Sequence, residues 1–570
     1  MKSFRVLLLA IILVEVVGAC SQKGSGPQGV AGETQPTTIQ LPQTQGSTNV
    51  GSGGNGAEAQ WKSIAQALLF DIRRLNVSGI DLNTFRKIKN EFPKTVAKAT
   101  VEFKDYPLIL SVETAEKDNP SGAEFKNALD CSKLAKKTDS SRERDAINFV
   151  LNQKIKVSRP RFSCIQGASE EARRLVLHEY LGLLGITEDA DGKTDYHITN
   201  RLLSDFKSIQ AFDEGLETVM VRNCKELQAV GTDDMEAADY LPLKLWKLAN
   251  DIDCGESRHW NAGSGFEPRI LNGNLDGDGY SIRNIYIKAV VPFDFQAKRE
   301  KMRVKVKNMG VYPNIDFMNN ALFFTDCRKC VIGNLNIENA TVYGNAILIS
   351  VNPGDIRNVF YEGKLIGTVD SNFVGGLTAV NQGTASYISG QVHISRTTPV
   401  SMGIDVRAGG ITGYNQLGNI HHGTYQGTIE GYSDIGGLAG ENAQGFVSNS
   451  STDAQIIASS CYQIGGIVGI NGGLVKSVLA RGTISFSSRC EETAAVGGIV
   501  GVNIKFKENL EQVPVGELPM PVTTQLADGI SKVTIDVSKL SSYYSDKTKM
   551  QKVLISDQIG YDTQGDPKVP

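Results

Sequence analysis

Apolar side chains follow one spacing in the first half of the chain and a different one in the second. Between residues 58 and 235, apolar residues such as Trp61, Ile64, Leu68 and Ile72 recur at the three- and four-residue intervals of a helix. Segments richer in β-branched residues, such as 154–162, predict strands in the same region. A helix is also expected from Asp81 to Phe92, ended by Pro93. We therefore expect residues 58–235 to form an α+β domain.

From residue 240 to 505, short apolar runs alternate with glycine, and one motif recurs. It reads FVGGLTAVN from residue 373, AGGITGYN from 408, IGGLAGEN from 435, IGGIVGIN from 464 and VGGIVGVN from 496. The second glycines lie at 376, 410, 437, 466 and 498, so the spacing is 27 to 34 residues. A period of about 30 residues without helical spacing predicts a β-solenoid. The asparagine that ends each motif is expected to stack on its equivalents as a ladder.

The recurring motif resembles the GLUG repeat, which is named for its Gly-Leu-x-Gly core and is found in surface and adhesin-like bacterial proteins. Residues 246–253 and 271–282 are similar to the opening coils of right-handed parallel β-helices that carry such repeats. The resemblance implies a right-handed parallel β-helix over residues 240–505, with 506–570 as a C-terminal cap or tail. The expected fold class is therefore multidomain, an N-terminal α/β (α+β) domain followed by a β-helix.

One predicted helix of the N-terminal domain carries the sequence HEYLG from residue 178. It resembles the active helix of zincin metallopeptidases, in which two histidines four residues apart bind zinc and a glutamate is the general base. The resemblance implies His178 as a ligand, Glu179 as the base and Glu188 at the third-ligand position, with His197 as a further candidate ligand. Gly182 stands where the second histidine belongs. Because a catalytic zinc needs three protein ligands, the helix is interpreted as a structural relic, with zinc binding or hydrolysis as alternatives.

The first residues have the form of an export signal. Lys2 and Arg5 precede an apolar stretch over 6–17, which is too short for a membrane span of about 20 residues. Residues 17–20 resemble the bacterial lipobox, which implies a lipoprotein signal peptide over 1–19 and lipidation of Cys20. In that family Ser21 implies sorting to the outer membrane. Residues 20–57 are rich in Gly, Ser, Thr and Gln and predict a flexible tether.

Eight further cysteines form an even set, which suggests disulfides in an exported protein. Pairing of neighbours along the chain is the simplest arrangement, although eight cysteines allow 105 arrangements. The sequence CRKC from residue 327 has no second such pair for a zinc site, so a local disulfide or two free thiols is expected. The disulfide candidates are Cys131, Cys164, Cys224, Cys254, Cys327, Cys330, Cys461 and Cys490.

Charge narrows the range of functions. The 59 Lys and Arg residues against 62 Asp and Glu residues give a net charge of −3, which argues against a nucleic-acid partner. Charged residues are sparse over 372–503 and do not recur at matched repeat positions, which argues against a catalytic cluster on the coils. The sequence DGDG from residue 276 suggests a calcium loop, but Ile285 occupies the position of the required glutamate. We therefore expect an ordinary β-helix turn there.

Together these features predict a lipid-anchored protein of the bacterial outer membrane, facing the periplasm or the cell surface. Its β-helix is expected to be a non-enzymatic binding or adhesion module for a surface glycan or for an envelope or host protein. No cofactor is assigned, zinc being the alternative. The competing hypotheses are a zinc-dependent peptidase or its inactive relic, based on His178 and Glu179, and a carbohydrate-active β-helix enzyme.

Overall fold

The computed structural model describes part of the chain. The predicted signal peptide (1–19), Cys20 and most of the tether (20–57) lie outside the described residues, as do Cys131, Cys327, Cys461 and Cys490. The described ranges are 55–105, 108–109, 143–165, 169–190, 193–194, 196–212, 215–231, 244–288, 321–324, 330–368, 372–396, 406–430, 434–458, 463–487, 494–503, 525–527, 529–535, 553–556 and 559–562.

Contacts divide the chain into two units, Met1–Gly46 and Ser47–Pro570, and every described residue belongs to the second. Within the described part, no helix is both long enough and apolar enough to cross a membrane.

Six helices occur in the described N-terminal part. Helices α1, α2 and α4 pack together, and the apolar stripe predicted from Trp61 to Ile72 is buried among them. Trp61 is 1% exposed and contacts the rings of Phe103, Phe162 and Tyr180. The helices are α1 (Asn55–Arg74), α2 (Leu82–Lys98), α3 (Arg159–Ile165), α4 (Ser169–Leu183), α5 (His197–Asp205) and α6 (Cys224–Gln228).

Helix α2 extends past the predicted end at Phe92. Its N-cap, Asp81, accepts a hydrogen bond from the Thr84 backbone N–H, as a capping carboxylate does. Pro93 lies inside the helix, which continues to Lys98. The expectation that Pro93 ends the helix was wrong, because burial of Thr95 and Val96 in the next turn offsets the hydrogen bond that proline cannot donate.

A small mixed sheet accompanies these helices. Strand β5 (Lys154–Ser158) pairs in parallel with β1 (Thr100–Lys104) and antiparallel with β4 (Ala146–Phe149). Two antiparallel strand pairs are shorter: β2 (Leu108–Ile109) with β3 (Glu143–Arg144), and β6 (Asp189–Ala190) with β7 (Lys193–Thr194). The described N-terminal residues therefore combine helices with both parallel and antiparallel strands.

The rest of the described chain forms three large sheets of sixteen, nine and six strands, whose strands pair in parallel. The sixteen-strand sheet contains β8 (Glu217–Val221), β9 (Lys244–Leu248), β10 (Ile252–Asp253), β12 (Asn274–Asp276), β13 (Ser281–Arg283), β14 (Tyr286–Ile287), β16 (Val331–Tyr343), β18 (Asp355–Gly367), β21 (Thr384–Arg396), β24 (Asn419–Glu430), β27 (Phe446–Ser448), β28 (Ser451–Ala458), β31 (Leu474–Lys476), β32 (Leu479–Phe486), β35 (Gln525–Ala527) and β36 (Ile530–Ile535).

The nine-strand sheet contains β11 (Arg269–Ile270), β15 (Phe323–Phe324), β17 (Ile349–Asn352), β20 (Thr378–Asn381), β23 (Thr412–Gln416), β26 (Ala439–Ala443), β30 (Val468–Asn471), β34 (Val500–Asn503) and β38 (Ile559–Asp562). The six-strand sheet contains β19 (Phe373–Gly375), β22 (Arg407–Gly409), β25 (Asp434–Gly436), β29 (Gln463–Gly465), β33 (Ala494–Gly497) and β37 (Val553–Ser556).

Successive repeats contribute equivalent strands to these sheets. The repeat that begins at Asp434 passes through β25, β26, β27 and β28, and each of these strands pairs with its equivalent in the next repeat. A continuous apolar core runs inside the sheets from Val221 to Val500. This arrangement is consistent with a β-helix, and we call the three sheets together the coil stack.

The glycine pairs of the repeat allow the coils to approach closely. A Cβ atom built on Gly410 would lie 2.3 Å from the Gly437 carbonyl oxygen of the next coil, and one on Gly437 would lie 2.1 Å from that of Gly466. No larger residue fits such a contact without displacing backbone. The second glycines at 376, 410, 437 and 466 are therefore required by the spacing between coils.

The strand ladder extends beyond residues 240–505 at both ends. Strand β8 pairs with β9, so the coil stack includes residues from Glu217 onward. At the other end β35, β36, β37 and β38 add to β31, β32, β33 and β34 in parallel register. The described part of the predicted tail thus supplies the strands of one more coil.

The end of α1 docks on the DGDG turn of the first coils. Arg73 Nη2 lies 2.8 Å from Asp278 Oδ2, and Arg74 contacts both Asp276 (3.2 Å) and Asp278 (3.1 Å). Lys247 adds a third cation, 3.5 Å from Asp278. The sequence predicts an ordinary β-helix turn here, and both of its carboxylates bind basic side chains of the protein itself.

Lys89 occupies the same contact region between α2 and the coil stack. Its ammonium group donates hydrogen bonds to the Leu75 carbonyl and to Asn76 Oδ1. Burial, together with the positive charge of Arg73, lowers the pKa of Lys89 from 10.5 to about 7. The negative charges of Glu338 and Asp251 raise this pKa but do not outweigh burial. The lysine therefore loses its proton in the folded protein at a pH where the unfolded chain keeps it.

A pH dependence of stability follows from Lys89. Above a pH of about 7 the unfolded chain binds one more proton than the folded one, so stability rises with pH toward 10.5. We expect the free energy of unfolding of the wild type, minus that of Lys89→Met, to increase by about 2.7 kcal/mol from pH 6 to pH 9. Urea unfolding of both proteins at several pH values measures this difference, and parallel pH profiles would contradict the assignment.

Candidate functional site

The HEYLG sequence lies on α4, as the sequence predicts. Apolar neighbours on the same helix, such as Leu177 and Leu181, are fully buried in the N-terminal core. His178 and Glu179 are 8% and 4% exposed, so both polar side chains need partners inside the protein.

His178 is paired with Glu188. Its Nδ1 atom lies 2.8 Å from Glu188 Oε2, and the imidazole packs against the ring of Tyr196 at 4.7 Å between centroids. Glu188 also accepts hydrogen bonds from the backbone N–H of Thr199 at 2.7 Å and from its hydroxyl at 2.5 Å. These contacts join the end of α4 to the start of α5.

The electrostatics of Glu188 fit a structural carboxylate. Burial alone would raise its pKa, but hydrogen bonds from His178 and Thr199 outweigh burial and lower the pKa below 4.5. The stabilisation that these contacts provide is therefore present above pH 4.5 and is lost as pH falls through the folded-state pKa.

Asn148 fills the space beside Gly182, the position of the missing second histidine. A Cβ atom on Gly182 would lie 2.3 Å from Asn148 Nδ2, and this same amide donates a 3.1 Å hydrogen bond to Glu179 Oε2. The carboxylate that would be the general base of a zincin is thus bound by an amide from β4. The helix has neither a ligand nor room for one at this position.

His178, Glu188 and His197 do not form a metal-binding group. Within the part of the chain that the structure describes, no three His, Cys, Asp or Glu side chains are placed to hold a metal ion. His178 and Glu188 meet, whereas His197 is exposed at the first residue of α5. The sequence pattern locates the helix correctly, but the contacts form a hydrogen-bond network between elements.

The contact between Gly182 and Asn148 predicts whether Gly182→Ala raises or lowers the free energy of unfolding. Alanine usually stabilises a helix by about 1 kcal/mol relative to glycine. Here Gly182→Ala is expected to destabilise by about 1 to 2 kcal/mol, because it displaces the amide that satisfies Glu179. In an Asn148→Ala background the same substitution should be neutral or stabilising. Urea unfolding of the four proteins measures this, and an equal effect in both backgrounds would show that Asn148 is not the obstacle.

On the coil stack, the asparagines of the repeat form the predicted ladder. The side-chain amide of each donates to the amide oxygen of the next, from Asn352 through Asn381, Asn415, Asn442 and Asn471 to Asn503, at 2.7 to 2.9 Å. All six side chains are at most 4% exposed. The polar residue that recurs in the repeat is therefore an internal structural element.

The outer face of the sixteen-strand sheet is polar and varied. One row of aligned outward positions runs through Gln391, Gln426, Asp453, Arg481 and Lys532, and a second through His393, Thr428, Gln455, Thr483 and Thr534. Asp453 pairs in the register with Arg481, so these two positions do not form the pair of carboxylates that a glycosidase uses. This face therefore carries mainly neutral hydrogen-bonding side chains, together with a few acidic and basic ones.

His421 and His422 lie within β24. His421 Nδ1 is 2.8 Å from Ser448 Oγ of the next coil, and His422 stacks on Tyr387 of the preceding coil with 4.7 Å between ring centroids. The repeat register produces these contacts. The sequence signal that could have located them is their distance from the glycine pair, since the residues aligned with His421 lie 10 or 11 positions after the second glycine of their repeats.

Disulfides account for part of the cysteine set. Cys224 and Cys254 are bonded, with Cα atoms 5.2 Å apart, and are neighbours in the cysteine order, the simplest pairing. Cys164 and Cys330 are also disulfide-bonded. The Cys224–Cys254 bond joins α6 to the first coils.

Comparison with known proteins gives one local similarity. The chain is 28% identical over 150 residues to Halomucin from Haloquadratum walsbyi, and the match covers 24% of this chain but 1% of that protein. No protein-family model matches the chain, and no solved structure matches it. A similarity to about a hundredth of a relative's length leaves the function to be argued from the residues.

Proposed function

We propose that the protein is a lipid-anchored component of a bacterial outer membrane whose β-helix, right-handed and of the GLUG type, binds a surface glycan or an envelope or host protein without catalysis. In this proposal Cys20 carries the lipid, residues 20–57 form the tether, and the N-terminal domain is a structural relic of a zincin that holds the first coils.

The observation that carries the proposal is the burial of the recurring polar residues. A catalytic centre repeated with the coils would place matched carboxylates or bases outside, but the matched residues are asparagines that bond to one another inside. What remains outside varies from coil to coil and is mostly neutral and polar. Such a surface suits recognition over a broad area and multivalent contact.

The N-terminal helix supports the same conclusion. Asn148 holds Glu179, and Thr199 together with His178 holds Glu188, so each candidate catalytic group already has a structural partner. A zinc peptidase needs three ligands and a free base. The peptidase hypothesis therefore has less support than the binding hypothesis.

The binding proposal is tested with the full chain, displayed in its lipid-anchored form on cells and purified in detergent. Binding to arrays of bacterial and host glycans and to isolated envelope fractions is expected, without turnover of the bound polysaccharide. Absence of binding across these arrays, or release of shortened glycans or peptides, would overturn it.

The anchor is tested separately. Cys20→Ala is expected to abolish incorporation of radiolabelled fatty acid and to leave the unprocessed precursor in the inner membrane fraction. Labelling that persists in Cys20→Ala would place the lipid elsewhere, and an unlabelled wild type would exclude a lipoprotein.

A further inference from the structure

A cavity of about 390 Å³ opens on the outer side of the coil stack, between β27 and β31. Its volume lies within the range of about 300 to 1,000 Å³ that is usual for small-molecule sites. It belongs to two consecutive coils at a position outside the repeated motif, so its residues are specific to these coils.

Strand alternation explains which side chains line the cavity. Phe446 pairs with Leu474 and Ser448 with Lys476, whereas Val447 between them is fully buried in the core. Outward side chains from the two coils therefore stand next to one another, about 4.8 Å apart along the stack. Two apolar side chains form one side of the cavity, and a hydroxyl and an ammonium group form the other.

The polar side of the cavity is ordered by contacts with the preceding coil. Ser448 Oγ lies 2.8 Å from His421 Nδ1, and the exposed Asn449 follows directly in the chain. Lys476 is exposed, and no described carboxylate lies within ion-pair distance of its ammonium group. The cavity thus presents hydrogen-bond donors and acceptors together with one cation, and no described acidic side chain lines it.

An aromatic and basic row continues from the cavity toward the N-terminal domain. The rings of His421 and His422 are 4.1 Å apart, His422 stacks on Tyr387, and the Arg357 guanidinium lies 5.2 Å above the Tyr387 ring. These residues come from successive coils. A linear ligand that occupies the cavity could continue along this row.

We propose that the cavity binds an acidic sugar unit of a polysaccharide, with its carboxylate on Lys476, its hydroxyl groups on Ser448 and Asn449, and the apolar face of its ring on Phe446. This inference rests on the proposed binding function and specifies the ligand class. A carboxylate gives the exposed ammonium group of Lys476 a charge-assisted contact that a neutral sugar does not provide. An extended peptide would need open backbone groups at a sheet edge, whereas β27 and β31 are paired on both sides.

The experiment measures equilibrium binding of the full chain to oligomers of galacturonate, glucuronate and mannuronate, and to the same oligomers after reduction of their carboxyl groups. At least one acidic oligomer is expected to bind, and its reduced form about tenfold more weakly. Lys476→Met should weaken binding of the acidic oligomer about tenfold and have no effect on the reduced one. Phe446→Ala should weaken both.

Lys364→Met is the matched control, since Lys364 is an exposed lysine on the outer face of β18 in the same sheet. It should leave binding of the acidic oligomer unchanged. Equal binding of acidic and reduced oligomers, or equal effects of the two lysine variants, would overturn the inference. If neutral glycans or a protein bind instead, the binding function stands and this ligand class fails; if nothing binds, both fail.

Discussion

Replacing Asn442 with aspartate is expected to destabilise the coil stack by about 3 to 5 kcal/mol, although the two side chains have nearly the same shape. Asn442 lies in the middle of the asparagine ladder and is fully buried. Its oxygen accepts from Asn415, while its nitrogen donates to Asn471 Oδ1 at 2.8 Å and to the Gly445 carbonyl at 3.1 Å. A carboxylate would turn both donations into contacts between acceptors and would bury a charge.

Urea unfolding of Asn442→Asp and the wild type measures this effect. The matched control is Asn419→Asp, an exposed asparagine of β24, for which a change below about 0.5 kcal/mol is expected. Burial should raise the pKa of the new carboxyl, so its protonation should reduce the defect as pH falls from about 7 to 4. Equal effects of the two substitutions would mean that the ladder does not hold the coils.

The asparagine ladder could be predicted because a repeat shows its geometry in the sequence. Residues that recur at one position of every coil must lie above one another, so the spacing of the motif alone places Asn381, Asn415, Asn442, Asn471 and Asn503 together. The same reasoning predicts parallel pairing and the need for glycine where coils approach. In a repeat protein, residues at equivalent positions of successive repeats are therefore predicted to be neighbours in space.

The zincin resemblance shows what a motif leaves out. The HExx motif places two polar residues on one helix. Whether Glu179 is held by a hydrogen bond depends on Asn148, which lies on a strand and is not part of the motif. Whether the space at Gly182 is open or filled is decided by packing between elements far apart in the chain. A single sequence without repeats carries no signal for such a contact.

The cavity at Lys476 was not predictable for a related reason. Phe446 and Lys476 come from adjacent coils but occupy positions where the repeats differ, so neither stands out in the sequence. The coil register alone brings them together. Residues that differ between repeats can be placed next to one another only when the strand register is known, and the repeated residues determine that register.

The contact between the N-terminal helices and the coil stack could not be predicted from the sequence either. Arg74 and Asp276 are separated by 202 residues, and each belongs to a pattern with its own local explanation, a helix end and a polar turn. Cations are favourable near a helix C-terminus in any case. Only the folded arrangement shows that these basic residues neutralise the buried acidic turn.

The second large effect is expected at this contact, where Arg74→Met should destabilise the docking of α1 by about 2 to 4 kcal/mol. Arg74 is 14% exposed and bridges the side chains of Asp276 and Asp278, which are 4% and 8% exposed. Without it, the counterions that the described residues supply to these two buried carboxylates are Arg73 and Lys247. Removal of one partner from a buried ion pair costs more than removal of an exposed pair, because the remaining charge stays desolvated.

Hydrogen exchange of α1 and limited proteolysis of the following segment measure the loss of docking. The control is Arg86→Met, because Arg86 also joins the N-terminal domain to the coil stack, through Glu362 at 3.1 Å, but both side chains are more than 40% exposed. A cost below about 1 kcal/mol is expected for this exposed pair. If both variants opened α1 equally, burial of the DGDG turn would not be the source of the stability. If neither did, the helices would be held to the coils by other contacts, such as the hydrogen bonds between Asn76 and Asn358.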